Sequence, residues 1–266
     1  MREDAHRPIE LFITDIDGCL AEPFEALELD RWQELAEKSS RSGPSDPHRP
    51  RLTVLSGRPL GYVEAVAQAL GCREPALFEA GAGAFDLSDG RVRWNPALTE
   101  QIERQMQAVR TWLIEECIPG TALSFDYGKR TQAGVIGPDP EAVERLFPRV
   151  EAYVEERFPE LRVFETDISI DVVPAAITKR QALDWLAEQT GIPVERMAYI
   201  GDTTGDLEAL QAVGRSFAPR NAFEAVREQV SLETEGAYVD GVHEAYDWCR
   251  AHNARRHEGD DTRSSS

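Results

Sequence analysis

Short apolar runs alternate with helical patterns along most of the chain, and each run ends in a polar or glycine-bearing turn. The clearest runs are Leu11 to Thr14, Leu52 to Leu55 and Ala198 to Ile200, with shorter ones at Ala76 to Phe78 and Ser216 to Ala218. Continuous apolar runs that are followed by helices are typical of buried parallel strands joined by crossover helices. The pattern therefore predicts an α/β fold built on a parallel sheet.

The stretch from residue 85 to residue 173 has a different pattern. Asp89-Gly90 predicts a hairpin turn. Two helical stripes, beginning at Leu98 and Val143, are each followed by two short strand-like runs. Helix, strand, strand, repeated once, predicts an antiparallel sheet with two helices on one face. We therefore expect an inserted α+β cap domain at 85–173, a discontinuous core domain at 1–84 and 174–252, and a disordered tail at 253–266.

The composition is that of an acidic globular protein and limits the classes of partner that it can bind. The 266 residues are 41% hydrophobic and 29% charged, and 48 acidic against 29 basic side chains give a formal net charge of −19. Such a balance repels a phosphate backbone and an anionic lipid surface, and no basic patch stands out. We expect a small-molecule ligand, no nucleic-acid or membrane partner, and a monomer or homodimer.

The cysteines and the apolar segments indicate the compartment. Four cysteines lie far apart without a short paired spacing, which argues against a zinc site and gives little support to a disulfide framework (Cys19, Cys72, Cys117 and Cys249). The first residues lack the apolar stretch of a secretory signal, and no segment approaches the roughly 18 apolar residues of a membrane helix. We expect a cytoplasmic protein with reduced thiols.

Three of the predicted strands end in residues that can carry chemistry. Asp15 and Asp17 follow the first run, Ser56 follows the second, and Asp202 follows the third. Ligands of an open parallel sheet bind beyond the carboxyl ends of its strands, because loops and helix N-termini converge there. Two carboxylates in one turn and a third from another strand would form the oxygen-rich site that Mg²⁺ prefers. A bound cation would offset the repulsion between the carboxylates and an anionic phosphate.

Four ordered segments resemble the motifs of the haloacid dehalogenase (HAD) superfamily of phosphohydrolases. They are Asp15-Ile16-Asp17-Gly18, Ser56-Gly57-Arg58-Pro59, Lys179 ahead of a helix, and Gly201-Asp202-Thr203-Thr204-Gly205-Asp206. The insert is similar to the large α/β (C2-type) cap of Cof-type, sucrose-phosphate, mannosyl-3-phosphoglycerate and archaeal-type phosphoglycolate phosphatases. The resemblance implies a Rossmann-like HAD core with an inserted cap, and a Mg²⁺-dependent phosphomonoester hydrolase that acts on a small phosphorylated metabolite.

The same resemblance implies a role for each motif residue. Asp15 would attack phosphorus to give an aspartyl-phosphate, and Asp17 would protonate the leaving alcohol and then activate water. Lys179 would neutralise charge on Asp15 and on the transferred group.

The remaining roles concern the phosphoryl group and the metal. Ser56, Gly57 and Arg58 would bind phosphate or substrate. Metal ligation would fall to Asp15, Asp202, the backbone carbonyl of Asp17, and Asp206 in support of the metal's water shell. Cys19 departs from the family, which usually has Thr at this position, and this puts the usual hydroxyl contact in doubt.

Each of these residues also has a structural explanation. Asp15 and Asp17 are favoured in turns and at helix starts, and Ser56 could be a helix N-cap. Thr203 and Asp206 have the spacing of a capping box, whereas Lys179 and Arg58 could be solvated side chains.

Three other functions stay open from the sequence. The same machinery would serve a phosphomutase or phosphoryl transferase, and a non-hydrolytic regulatory protein could use the pocket only to bind a phosphorylated ligand. A receiver-type signalling domain fits less well, because it would be about half this length and would lack the insert.

Overall fold

The computed structural model describes residues 7–23, 25–42, 46, 48–166 and 168–264, with side chains as far as residue 255. Its strands are β1 (Leu11–Thr14), β2 (Arg51–Val54), β3 (Ala76–Phe78), β4 (Gly83–Asp86), β5 (Arg91–Trp94), β6 (Ser124–Phe125), β7 (Ala133–Ile136), β8 (Leu161–Thr166), β9 (Ser169–Pro174), β10 (Met197–Ile200), β11 (Arg215–Ala218) and β12 (Leu232–Glu233). Its helices are α1 (Leu29–Ser40), α2 (Leu60–Leu70), α3 (Glu100–Trp112), α4 (Pro140–Arg157), α5 (Lys179–Thr190), α6 (Leu207–Ala212), α7 (Glu224–Arg227) and α8 (Tyr238–Ser264).

A parallel sheet of five strands carries the fold, in the order β12-β11-β10-β1-β2. Thr14, the last residue of β1, pairs with Val54 on one side and with Ile200 on the other. Because all three strands end at this level, the residues that follow them emerge together at one edge. The predicted α/β fold with a parallel central sheet is confirmed, and each predicted strand agrees with an observed one to within a residue at either end.

Both faces of this sheet are buried, which explains the unbroken apolar runs. Along β1, Leu11 and Ile13 join a cluster with buried residues of α5, α6 and α7. Phe12 points to the opposite face and packs with buried residues of α1, α2 and α8. Successive side chains of a strand alternate between faces, so a strand between two helical layers is apolar at most of its positions.

The antiparallel sheet β6-β7-β9-β8 lies between residues 124 and 174. Ala133 and Val135 of β7 and Ile170 and Val172 of β9 share one face and are buried with apolar residues of α3 and α4. The repeated order of helix, strand and strand therefore forms a separate apolar cluster, as the sequence pattern indicates.

The hairpin β4-β5 belongs to a third sheet, in which β4 pairs with β3. The boundary predicted between residues 84 and 85 thus falls inside β4. Gly83 permits this hairpin to lie close to Phe78, because an added Cβ would come within 2.0 Å of the Phe78 ring. The division of the chain into a core domain and an inserted cap domain stays a prediction.

Helix α8 continues through Ser264, where the sequence pattern predicted a disordered tail from residue 253. Asn253 is 2% exposed and joins the helix to the first strand region. Its side chain accepts a 2.8 Å hydrogen bond from Ile9 N and donates one of 2.8 Å to Ile9 O. The polar composition of this segment gave no indication of these hydrogen bonds between Asn253 and Ile9. Among the described helices, none is both long and apolar enough to cross a bilayer.

Candidate active site

Three carboxylates meet at the carboxyl edge of the parallel sheet. Asp15 follows β1, Asp202 lies in the loop after β10, and Asp206 ends a short 3₁₀ turn after that loop. One oxygen of each lies within 4.8 Å of one oxygen of the others. Asp15 is 6% exposed and Asp206 is fully buried, so the repulsion between these groups is little screened by water.

Lys179 supplies a positive charge to this acid group from the first turn of α5. Its Nζ donates to Asp15 Oδ2 and, at 2.5 Å, to Asp206 Oδ1. The side chain is only 11% exposed. Thr178 begins the helix by accepting a hydrogen bond from Gln181 N, and this cap directs the next residue toward the sheet edge.

Burial and charge move the pKa values of these groups in different directions. Burial raises the pKa of Asp15 against the lowering effect of Lys179. Burial also opposes ionisation of Asp206, but the charge and hydrogen bond of Lys179 leave the pKa of that carboxyl lowered. Burial lowers the pKa of Lys179, but the charges of Asp15 and Asp206 outweigh it and the pKa is raised. The lysine is therefore a permanent cation beside Asp15.

Asp206 is held by hydrogen bonds on both of its oxygens. Oδ1 accepts from Lys179 and from the Tyr199 hydroxyl at 2.5 Å, whereas Oδ2 accepts from Thr203 N and Thr203 Oγ1, both at 3.0 Å. Thr203 and Asp206 form the capping box that was one explanation of their spacing. Asp206 therefore serves a local structure and faces the acid group at the same time.

Asp202 differs from Asp206 because its Oδ1 is buried and has no hydrogen-bond partner. Burial, followed by the charges of Asp15 and Asp206, raises the pKa of Asp202 to about 8. An unpartnered carboxylate oxygen beside two other acids is costly unless a cation compensates it. Oxygen donors of this kind fit Mg²⁺, so the donor set suits the predicted metal.

Asp17 lies outside this group of three acids, and its carboxylate faces Arg58. Arg58 Nε donates to Asp17 Oδ2 at 2.6 Å and Nη2 donates to Oδ1 at 2.5 Å. The metal contact expected of Asp17 is a main-chain one, and it stays a prediction. Arg58, which could have been a plain solvated side chain, is instead 30% exposed and bound to the predicted acid-base residue.

Ser56 is 1% exposed at the end of the second strand region. Its hydroxyl lies 3.4 Å from Arg58 N, and helix α2 begins after Pro59, so Ser56 is not the helix N-cap. Gly57 leaves open space, because an added Cβ would meet no atom within 4 Å. The segment that follows β2 therefore offers a hydroxyl and a glycine near Arg58.

Gly18 and Cys19 allow the first motif to lie close to the end of β10 and to the loop that follows it. Gly18 has a φ of +72°, and an added Cβ would lie 1.9 Å from Asp202 Oδ2. Cys19 is fully buried and its thiol donates to Ile200 O at 3.7 Å. Burial, with the charge of Asp202 next, raises the pKa of this thiol well above its ordinary value. The thiol thus takes the place of a hydroxyl as a weak donor toward β10.

Two further residues of the site carry no signal in the sequence. Tyr199 reads as one more apolar strand residue, yet its hydroxyl reaches Asp206. Asn221 donates to Gly18 O at 2.9 Å and accepts from Tyr238 N at 2.8 Å. These contacts join segments far apart along the chain, which periodicity does not reveal.

The fold and site define an α/β protein with an acidic, lysine-bearing pocket at the carboxyl edge of a parallel sheet. Proteins of known family are similar to this chain. The haloacid dehalogenase-like hydrolase family matches residues 124–245. A phosphoglycolate phosphatase from Methanothermobacter thermautotrophicus is 34% identical over 86 residues, which are 32% of this chain and 39% of the relative. One from Methanopyrus kandleri is 26% identical over 233 residues, or 87% of this chain and 93% of the relative.

Solved structures agree on the fold. A haloacid dehalogenase-like hydrolase from Bacteroides thetaiotaomicron superposes with a TM-score of 0.67 at 18% identity, covering 90% of this chain and 98% of that one. In sequence and in fold, the chain is thus similar to members of the haloacid dehalogenase superfamily.

Proposed function

We propose that this protein is a Mg²⁺-dependent phosphomonoester hydrolase that works through an aspartyl-phosphate on Asp15. The observation that carries the proposal is the contact between Lys179 Nζ and Asp15 Oδ2 inside the group of three acids, of which Asp15 and Asp206 are buried. A purely structural turn does not require one ammonium bound to two carboxylates with a third carboxylate beside them. The phosphoglycolate phosphatase relatives support the same activity.

The proposed reaction begins with attack of a carboxylate oxygen of Asp15 on phosphorus, while the leaving alcohol takes a proton from Asp17. Water activated by Asp17 then cleaves the aspartyl-phosphate and releases inorganic phosphate. Lys179 offsets charge on Asp15 and on the phosphoryl oxygens, with Ser56 as a hydroxyl donor beside them. Asp15, Asp202 and the Asp17 carbonyl would hold Mg²⁺, with Asp206 in support, and the ion would supply electrostatic stabilisation of the phosphoryl charge.

We propose a small phosphorylated hydroxy acid or sugar as the substrate, with phosphoglycolate as the first compound to test. The relatives named above act on phosphoglycolate according to their names. Sugar phosphates and glycosyl phosphoglycerates are the other members of this substrate class. The four cysteines are buried and free, in keeping with the proposed cytoplasmic location.

The test measures release of inorganic phosphate from phosphoglycolate and 4-nitrophenyl phosphate with Mg²⁺. We expect Asp15→Asn to lower kcat by at least roughly 10³-fold, because the nucleophile is lost. Asp184→Asn is the matched control, since Asp184 lies on the exposed face of α5 in an i, i+4 pair with Arg180.

Three outcomes separate the alternatives. Substantial hydrolysis by Asp15→Asn contradicts the proposed nucleophile. Conversion of a sugar phosphate to its isomer without free phosphate indicates a phosphomutase. Saturable binding of the ester with Mg²⁺ but without turnover indicates a non-hydrolytic ligand-binding protein.

A further inference from the structure

Glu79 is a buried carboxylate that the proposed reaction does not use. It follows β3 and is 1% exposed. Its Oε1 accepts from Arg130 N at 2.9 Å, and its Oε2 accepts from Thr131 N at 2.6 Å and Thr131 Oγ1 at 2.5 Å. Residues 130 and 131 belong to the loop between β6 and β7 of the antiparallel sheet. One side chain therefore binds three donors of a loop that lies about fifty residues further along the chain.

The backbone of the same residue holds the segment that follows β2. Glu79 N donates to Arg58 O at 2.9 Å, and Ala80 N donates to Ser56 O at 2.9 Å. Ser56 N in turn donates to Leu77 O at 3.0 Å. The proposed phosphate-binding segment is thus hydrogen-bonded to the chain around Glu79 through both residues that flank Gly57.

This arrangement requires an unusual backbone. Glu79 has a φ of +49° and Ala80 a φ of +59°, in the left-handed region that residues with a Cβ rarely adopt. Such conformations persist where surrounding contacts determine them, and they are concentrated at functional sites. Gly81 follows with a φ of +96°, and an added Cβ would lie 2.2 Å from Ala182 Cβ on α5, the helix that begins with Lys179.

The loop bound by Glu79 is also held from its own sheet. Arg110 of α3 donates from Nη2 to the carbonyl oxygens of Lys129 at 3.2 Å and Gln132 at 2.9 Å, and to that of Arg130. The loop's carbonyls therefore face a cation and its amides face the Glu79 anion. The loop also lies close to Pro59, the residue after the proposed phosphate-binding segment, since an added Cβ on Gly128 would lie 3.3 Å from Pro59 Cγ.

We propose that Glu79 is a positioning residue that couples the loop of residues 126–131 to the proposed phosphate-binding segment, Ser56 to Arg58. Its carboxylate binds the loop and its backbone binds the segment, so loss of the hydrogen bonds between that carboxylate and the loop disturbs Ser56 and Arg58. The anion is required because three donors converge on two oxygens. The amide of a glutamine has one acceptor oxygen, and its NH₂ group would face at least one of these donors. The consequence for catalysis rests on the proposed function, whereas the coupling itself does not.

The first test is hydrogen–deuterium exchange of the full chain without substrate. Glu79→Gln is expected to raise amide exchange about tenfold both in residues 126–134 and in residues 55–60, because charge-assisted hydrogen bonds are lost. Arg110→Gln is the matched control, since it loosens the same loop from the side of the antiparallel sheet. It leaves the three hydrogen bonds of the Glu79 carboxylate in place, so it is expected to raise exchange in residues 126–134 alone.

The second test is a double-mutant cycle on hydrolysis of 4-nitrophenyl phosphate with Mg²⁺. Glu79→Gln is expected to lower kcat/KM about tenfold, mainly through KM, and Thr131→Val about threefold. The double variant should lose no more than Glu79→Gln alone, because the Thr131 hydroxyl acts through Glu79.

Exchange in residues 55–60 that stays at the wild-type value in Glu79→Gln overturns the proposal, and so do additive losses in the cycle. If Glu79→Gln does not fold, amide exchange of Thr131→Val is the test. A rise of about threefold both in residues 126–134 and in residues 55–60 supports the coupling, and a rise in residues 126–134 alone refutes it. If the variants show the expected exchange pattern but the wild-type protein hydrolyses no ester, the proposed function is disproved and the coupling stands.

Discussion

Arg58 binds both oxygens of the Asp17 carboxylate, with Nε 2.6 Å from Oδ2 and Nη2 2.5 Å from Oδ1. Its guanidinium also lies 5.0 Å from the centre of the Tyr62 ring. Asp17 therefore accepts two hydrogen bonds on the oxygens from which a proton would be transferred. The ion pair must open during the proposed reaction, and an anionic substrate can open it by competing for the guanidinium.

Replacement of Arg58 by Gln is expected to raise the KM for phosphate esters about tenfold, with a smaller change in kcat. The substrate anion loses a bidentate partner, whereas Asp17 keeps its place in the turn. Steady-state kinetics with 4-nitrophenyl phosphate measure both constants. Arg180→Gln on the exposed face of α5 is the control and should leave both unchanged. A KM for Arg58→Gln equal to that of the wild type would show that Arg58 does not bind the substrate.

Alanine variants at two glycines with left-handed backbones distinguish the cost of the backbone conformation from the effect of a steric clash. Gly18 and Gly191 have φ values of +72° and +71°, but only at Gly18 does an added Cβ meet an atom, Asp202 Oδ2 at 1.9 Å. Both Ala variants should lose about 1–2 kcal/mol of stability from the backbone conformation. Gly18→Ala should in addition lose the rise in melting temperature caused by Mg²⁺, because Asp202 is displaced. Thermal melting with and without Mg²⁺ measures this, and an unchanged Mg²⁺ response in Gly18→Ala contradicts the assigned geometry.

Binding of Mg²⁺ is expected to stabilise the protein and to strengthen with pH. At a concentration about a hundred times Kd the cation adds about 2.7 kcal/mol, or roughly 5–10 °C in melting temperature. Burial raises the pKa of Asp202 to about 8. The metal binds the ionised carboxylate, so affinity should rise by up to about tenfold per pH unit from pH 6 and level off above pH 8.

Titration calorimetry at pH 6, 7 and 8 measures that dependence. Asp202→Asn should abolish the Mg²⁺ response. Glu208→Gln, at the start of α6, is a control of equal charge change. Equal affinity at the three pH values would argue against Asp202 as a ligand.

His243 is expected to make the protein less stable in mild acid. Lys38 Nζ can only donate to His243 Nδ1, at 3.0 Å, and Arg31 O can only accept from Nε2, at 2.9 Å, so the neutral ring is the form that fits. Burial, with the charges of Lys38 and Arg31, lowers the pKa of His243 below its ordinary value of 6.5 despite the hydrogen bond to Arg31 O and the opposing charge of Glu34. The unfolded chain then binds a proton that the folded chain does not. The stability contributed by His243 is therefore fully present above about pH 6.5 and is lost as pH falls from that value through the lower pKa of the folded state.

The variant His243→Gln isolates this contribution, because its amide can accept from Lys38 and donate to Arg31 O. Its melting temperature relative to the wild type should be higher at pH 5 than at pH 8. A difference that does not change between the two pH values would remove His243 as the cause.

The strands, and the place where each one ends, could be predicted from the sequence. Runs such as Leu11 to Ile13 are apolar at every position because helices cover both faces of the sheet. The residues just beyond those runs must emerge at one edge, so Asp15 and Asp202 could be placed near each other without coordinates. The order of the motifs added Lys179 and Asp206, which lie in contact with each other.

Only the tertiary structure decided how the acids divide. Asp15 and Asp17 are two residues apart in the same turn, yet one contacts Lys179 and the other Arg58. The left-handed backbone of Glu79, the inward hydroxyl of Tyr199 and the anchor at Asn253 likewise depend on contacts with distant segments. Periodicity reports only how deeply a residue is buried. The partner of a buried polar group is set by where the chain returns in space, and an isolated stretch of sequence carries no record of that.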